Sequence, residues 1–171
     1  FCQSLFAKTG HKVHNGLYAG WIQFMFRFKD KRMSQSLDMK YHHGYGGGGI
    51  VTKGMIQNQR RQTFVDADIH VTGHIHERTK SEWMREGINS HGVYKKTVQR
   101  HICLGTYKDD YADGACSWEA NRGQPPKPQG GWWFRFYNVS QRVNDDSNEG
   151  RSTSYVDLET IETDRGHLGP N

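Results

Sequence analysis

The sequence predicts a mixed α/β or α+β domain built around a β-sheet, and three observations carry that prediction. Strand-length runs of alternating apolar and polar residues recur along the chain. One stretch between them has helical composition, and two of the strand candidates run directly into loops rich in histidine and glycine.

The first strand is predicted over residues 17–28, where Ile22, Phe24, Phe26 and Phe28 alternate with Gln23, Met25 and Arg27. Aromatic side chains suit such a pleated, half-buried surface. A shorter strand over 37–41 leads into His42, His43 and the glycine-rich segment 44–49, so this loop follows a strand end. Residues 54–64 contain the helix formers Met55, Ile56, Gln59 and Arg60 and no proline. A strand is next predicted over 65–72, where Ile69 and Val71 alternate with Asp68, His70 and Thr72, closed by Gly73 before His74, Ile75 and His76. Two more are predicted over 98–104, closed by Gly105, and over 132–139, after the proline- and glycine-rich turn 124–131. Beyond Gln141 the chain is polar, with one strand candidate over 155–161. No internal repeat is present.

A chain of 171 residues with 34% apolar and 24% charged residues is of one-domain size and excludes a disordered or fibrous class. The 23 Lys and Arg against 18 Asp and Glu give a net charge of +5, which favours an anionic partner such as a phosphate ester or nucleic acid. These charges form no sustained run, and a solvated surface accounts for most of them. Cys2, Cys103 and Cys116 are widely spaced and odd in number, which argues against a disulfide framework or zinc knuckle and for a reducing, cytoplasmic setting. The apolar stretch 17–28 holds Gln23 and Arg27 and is too short to span a bilayer, so no membrane partner is expected. The chain opens on Phe1, which suggests a start inside a longer coding sequence.

Five of the ten histidines fall between His42 and His76, in two loop clusters that a strand–helix–strand crossover brings to one sheet edge. Imidazole ligates zinc, iron, nickel and copper, and manganese accepts mixed nitrogen and oxygen sites. The Gly73, His74, Ile75, His76 run is the strongest local signal, since two histidines one residue apart can each reach a different ion of a close pair.

The segment Asp68, Ile69, His70, Val71, Thr72, Gly73, His74, Ile75, His76 resembles the last motif of the calcineurin-like metallophosphoesterases, a GHxH after a strand. His43 with Gly44 resembles their preceding motif. The glycine-rich loop after it, and Gly105, Thr106, Tyr107 with Tyr111, are similar to a group common in bacteriophages and bacteria, and a phage member would act in its host's cytoplasm. The resemblance covers roughly residues 42–133. It implies part of a β-sandwich flanked by helices, with residues 1–140 as the carboxy-terminal half of the domain and 141–171 as a polar extension. It further implies phosphomonoester or phosphodiester hydrolysis, nucleic acid included, with two divalent ions of Mn, Fe, Zn or Ni. His43 and His74 would bind one ion and His76 the other, and His42 is the alternative ligand or a phosphate contact.

The chain departs from the family in lacking its DxH, GD and GNHD or GNHE motifs, since no GD or GN dipeptide occurs. Asp68 and His70 spell DxH only inside the strand before GHxH. Imidazoles alone leave the ions' charge poorly compensated, so the site is expected to be weak and completed by an amino-terminal half or another subunit. No catalytic acid can be assigned. A non-catalytic interaction subunit that keeps the fold is the competing expectation.

Tyr45 and Lys53 are candidate substrate contacts on the glycine-rich loop. That loop is no Walker A, because Gly54 rather than Ser or Thr follows Lys53. Arg60 and Arg61 read as a solvated helix face. Trp132, Trp133, Phe134, Phe136 and Tyr137 read as core in preference to base-stacking surface. With half the domain missing, the aromatic faces of 17–28 and 132–139 are expected to lack partners. His11, His14, His91, His101 and His167 have no motif context.

Overall fold

A computed structural model of the chain describes residues 16–29, 34–47, 49, 51–109, 111, 118–143 and 151–163. Phe1, Cys2, His11, His14, Cys116 and His167 lie outside the described residues. The fold is mixed α and β, mostly strand. In chain order it runs β1 (Ala19–Arg27), β2 (Ser34–His42), α1 (Met55–Gln62), β3 (Ile69–Thr72), β4 (Thr79–Ile88), β5 (Tyr94–Cys103), α2 (Trp118–Asn121), β6 (Gly131–Val143) and β7 (Arg151–Thr163).

β1 to β5 form one sheet in the order β1-β2-β3-β5-β4, and β6 and β7 form a separate hairpin. The crossover through α1 returns β3 parallel to β2, with Met39 opposite Ile69 and His42 opposite Thr72. β5 is parallel to β3, while β1 and β4 close the edges antiparallel.

Alternation along the strands gives the sheet two different faces. Met39, Ile69 and Ile102 point to the hairpin and bury Leu158 of β7, with Phe24, Val71, Trp132, Phe134 and Phe136 packed around them. Burying each of these aliphatic side chains is worth about 1.5–3 kcal/mol. Polar ties register the layers: Trp132 Nε1 donates to the Cys103 carbonyl at 3.1 Å, and Arg78 Nη1 donates to the carbonyls of Gln129 at 2.7 Å and Thr163 at 3.2 Å.

One expectation is corrected, and two features of the fold lie outside the sequence reading. The aromatic faces of the first strand and of β6 do not lack partners: Phe24 and Phe26 lie against Phe136, with ring centroids 4.7 Å and 5.2 Å apart. Residue 140 lies within β6, and the strand expected near 155–161 is part of β7, which pairs with β6 along its length and gives Val156 and Leu158 to the interior. β4 was not predicted, because Thr79, Ser81 and Arg85 on its inward face are as polar as Lys80, Glu82 and Glu86 on the other. It is held by its ladder to β5. No helix among the described residues is long and apolar enough to cross a membrane.

Candidate functional site

Because β2 and β3 are adjacent and parallel, the chain leaves both strands at the same sheet edge, and the loops carrying His43 and His74 meet there. The Gly73 N–H donates to the His43 carbonyl at 3.1 Å, locking the two loop starts together. Gly44, with φ of +99°, lets its backbone press against the Gly73 carbonyl, where a side chain would not fit. His74 and His76 both hold left-handed backbone, at φ 69° and 57°. That conformation costs an ordinary residue about 1–2 kcal/mol.

These constraints place His43 Nε2 3.2 Å from His74 Nδ1, with the rings edge to face. When one nitrogen carries a proton, the contact is a hydrogen bond. With both lone pairs free, two bonds of 2.0–2.1 Å to one ion would subtend about 100°, close to tetrahedral. An open cavity of about 430 Å³ adjoins the pair, lined by His42, His43, Gly73, Tyr18 and Leu104 among others.

His76 makes no hydrogen bond or ring contact with either histidine. Glu77, the carboxylate next in sequence, is buried in an ion pair with Lys127. Asp68 lies at the opposite end of β3, where its Oδ2 accepts from the Asp38 N–H at 2.9 Å. Among the described residues no group of three or more His, Cys, Asp or Glu side chains is placed to hold a metal ion. The pair thus fits two nitrogen ligands of one ion and falls short of a two-ion centre.

His42 has a distinct chemistry. Its Nδ1 accepts the Gly44 N–H at 2.7 Å, so the neutral ring carries its proton on Nε2 and presents a donor, not a lone pair. Partial burial, then Arg61, Lys40 and His43, lower its pKa from the ordinary 6.5. A neutral His42 in this tautomer has no free lone pair to give a metal ion. Tyr45 stands edge-on to His42, with centroids 6.1 Å apart, whereas Lys53 is exposed and touches neither His43 nor His74. Arg60 is solvated as expected, but Arg61 is buried beneath α1, a correction taken up below.

His70 and His101, opposite each other in the β3–β5 register, stack with centroids 4.4 Å apart under α1. They are 2% and 1% exposed. His101 Nε2 donates to Gln99 Oε1 at 3.1 Å, and Gln99 Nε2 donates to the Ala67 carbonyl at 2.7 Å. His70 Nε2 and His101 Nδ1 have no partner. Burial, then the charge of Arg85, pushes His70 down to about 4; burial, then His70 and Arg61, does the same to His101. Motif reasoning assigned neither a role; the cross-strand register is what joins them.

This pair has a consequence for stability. Both rings are neutral in the fold, while the unfolded chain takes up protons below the ordinary pKa of 6.5. Their contribution is complete above that value and is lost as pH falls toward and through about 4. Urea unfolding midpoints should fall between about pH 7 and about pH 5, and His70→Leu should flatten that fall. An unchanged slope in the variant would assign the acid sensitivity elsewhere.

Comparison of the chain with protein-family models, with curated proteins and with solved structures finds no match.

Proposed function

We propose that the chain is part of a metal-dependent phosphoesterase acting on a phosphomonoester or phosphodiester, with His43 and His74 holding one divalent ion. The observation that carries this reading is the 3.2 Å approach of Nε2 and Nδ1 at the carboxyl ends of two adjacent parallel strands. Imidazoles so placed are ordinary ligands for zinc, iron, nickel or manganese. The strained backbone at His74 and His76 supports it, since such strain persists where structure fixes a side chain for use. A bound ion would supply Lewis-acid polarisation of a phosphoryl oxygen. The chain's own share is to hold that ion. The carboxylates, and the motifs DxH, GD and GNHD, would come from an amino-terminal half or another subunit. His76, the ligand of a second ion under this reading, would need those groups as well.

The test is calorimetric titration of the chain with zinc. Saturable binding is expected, weakened at least about tenfold by His43→Ala and by His74→Ala and unchanged by His91→Ala. Equal affinity in all four proteins would defeat the reading. The competing reading, a non-catalytic interaction subunit, draws on the want of a third ligand among the described residues. A longer form carrying the upstream motifs decides between them. Manganese-dependent hydrolysis of an aryl phosphate, negligible in this chain and robust in the longer form, favours the enzyme; none in either favours the subunit.

A further inference from the structure

We infer that the cavity between α1 and the sheet is a binding site for a small tetrahedral oxyanion, inorganic phosphate or the phosphoryl group of a monoester, held by Arg61, Lys40 and His42. It measures about 170 Å³. That is below the roughly 300 Å³ at which pockets for drug-sized ligands begin, and suits a compact ion.

Arg61 is the central observation. It is only 9% exposed, it cannot shed its charge, and among the described residues no carboxylate pairs with it. The ring of Tyr45 lies 5.4 Å from the guanidinium carbon. A buried cation without a counter-charge is costly, and a bound anion removes that cost. Lys40 brings a second cation to the same cavity from β2, its ammonium resting 5.0 Å from the Trp21 ring. No Asp or Glu lines the space. Asp66, the acidic group that acts on His70, is committed to an ion pair with Arg85.

The neutral groups suit an anion as well. His42 lines the cavity with its Nδ1 occupied and its proton therefore on Nε2, as a donor. His70 also lines it, with its Nε2 unpartnered. Phe64, Val65 and Val71 complete the wall, and an apolar wall strengthens charge-assisted hydrogen bonds by lowering the local dielectric. Arg61 comes to this space from a helix, and Lys40 and His42 come from a strand. The site uses neither His43 nor His74 and does not rest on the metal reading.

The test is a titration of the 171-residue chain with inorganic phosphate, followed by NMR of the histidine rings, at constant ionic strength and with a chelator present. His42 and His70 should shift together and saturate in the millimolar range. Arg61→Gln should weaken the affinity at least about tenfold, as loss of a bidentate charge-assisted contact implies. Lys95→Gln, at an exposed lysine far along β5, should leave it unchanged. Should Arg61→Gln fail to fold, Lys40→Gln on the strand carries the test, with a several-fold loss expected. Phenyl phosphate distinguishes the sources: equal saturation assigns the site to a monoester's phosphoryl group, and saturation by inorganic phosphate alone assigns it to the free ion. No saturable shift, equal shifts with acetate or chloride, or unchanged affinity in the folded variants would overturn the proposal. None of these outcomes alters the zinc titration.

Discussion

Ile69→Ala should lower the free energy of unfolding by about 2–5 kcal/mol, the range for removing a fully buried aliphatic side chain whose surroundings cannot collapse. Ile69 is 0% exposed and lies on β3, hydrogen-bonded on both sides by β2 and β5. It touches the layer that joins sheet to hairpin, among Met39, Ile102 and Leu158. Parallel neighbours on each side prevent β3 from shifting to fill the void. Against a typical domain stability of about 5–15 kcal/mol, that is a large fraction of the whole. Ile88→Ala, at an exposed end of β4, should change stability by less than about 0.5 kcal/mol. Urea unfolding of the two variants measures both. A loss below about 1 kcal/mol for Ile69 would mean that the sheet and hairpin do not share one core.

What was legible in the sequence follows from which faces are apolar. β1, β3 and β6 announce themselves because Phe24, Ile69, Val71 and Phe134 alternate with polar residues and face a common core. β4 does not, since Trp83 is the one large apolar side chain on its inward face, beside Thr79, Ser81 and Arg85, and its order comes from the β5 ladder, a partner that no local pattern names. The histidine loops were legible because each follows a strand, and a helix between two strands implies the parallel return that joins residues 31 positions apart.

Arg61 was not legible, for a reason that lies in α1. With Met55 and Ile56 as its only apolar residues, the helix Met55–Gln62 has no apolar stripe to mark its inner face. Asn58 and Arg61, one turn apart, face inward in its place, and both are buried. The i, i+3 spacing of Asn58 and Arg61 was the available signal, yet a polar helix reads first as solvated. The same polar interior contains His70, His101 and Gln99, which together leave α1 resting on hydrogen-bonding groups instead of a hydrocarbon surface. Such an interior is specific only where its polar atoms are satisfied, and the unpartnered His70 Nε2 marks where they are not.

Gly44→Ala should cost about 2–4 kcal/mol, combining backbone strain with a lost hydrogen bond, and should also separate the histidine pair. At φ of +99° an L side chain is strained whatever space surrounds it. The added Cβ would lie 2.7 Å from the Gly73 carbonyl oxygen and 3.0 Å from His74 Cβ. The nearer obstacle is backbone, so no rotamer change relieves it, and the two loops must part. Parting them lengthens the 3.2 Å contact between His43 and His74 and breaks the Gly44 N–H bond to His42 Nδ1. His42 then recovers its choice of tautomer, and the pair loses the spacing that suits one ion. Zinc affinity should fall at least about tenfold while far-ultraviolet circular dichroism stays that of the folded chain. Gly47→Ala is the matched control: its Cβ would meet nothing within 4 Å, and its stability should stay within about 0.5 kcal/mol of the parent. If Gly44→Ala matched that control in both stability and zinc affinity, the close approach of the two loops would not be what sets the histidine geometry.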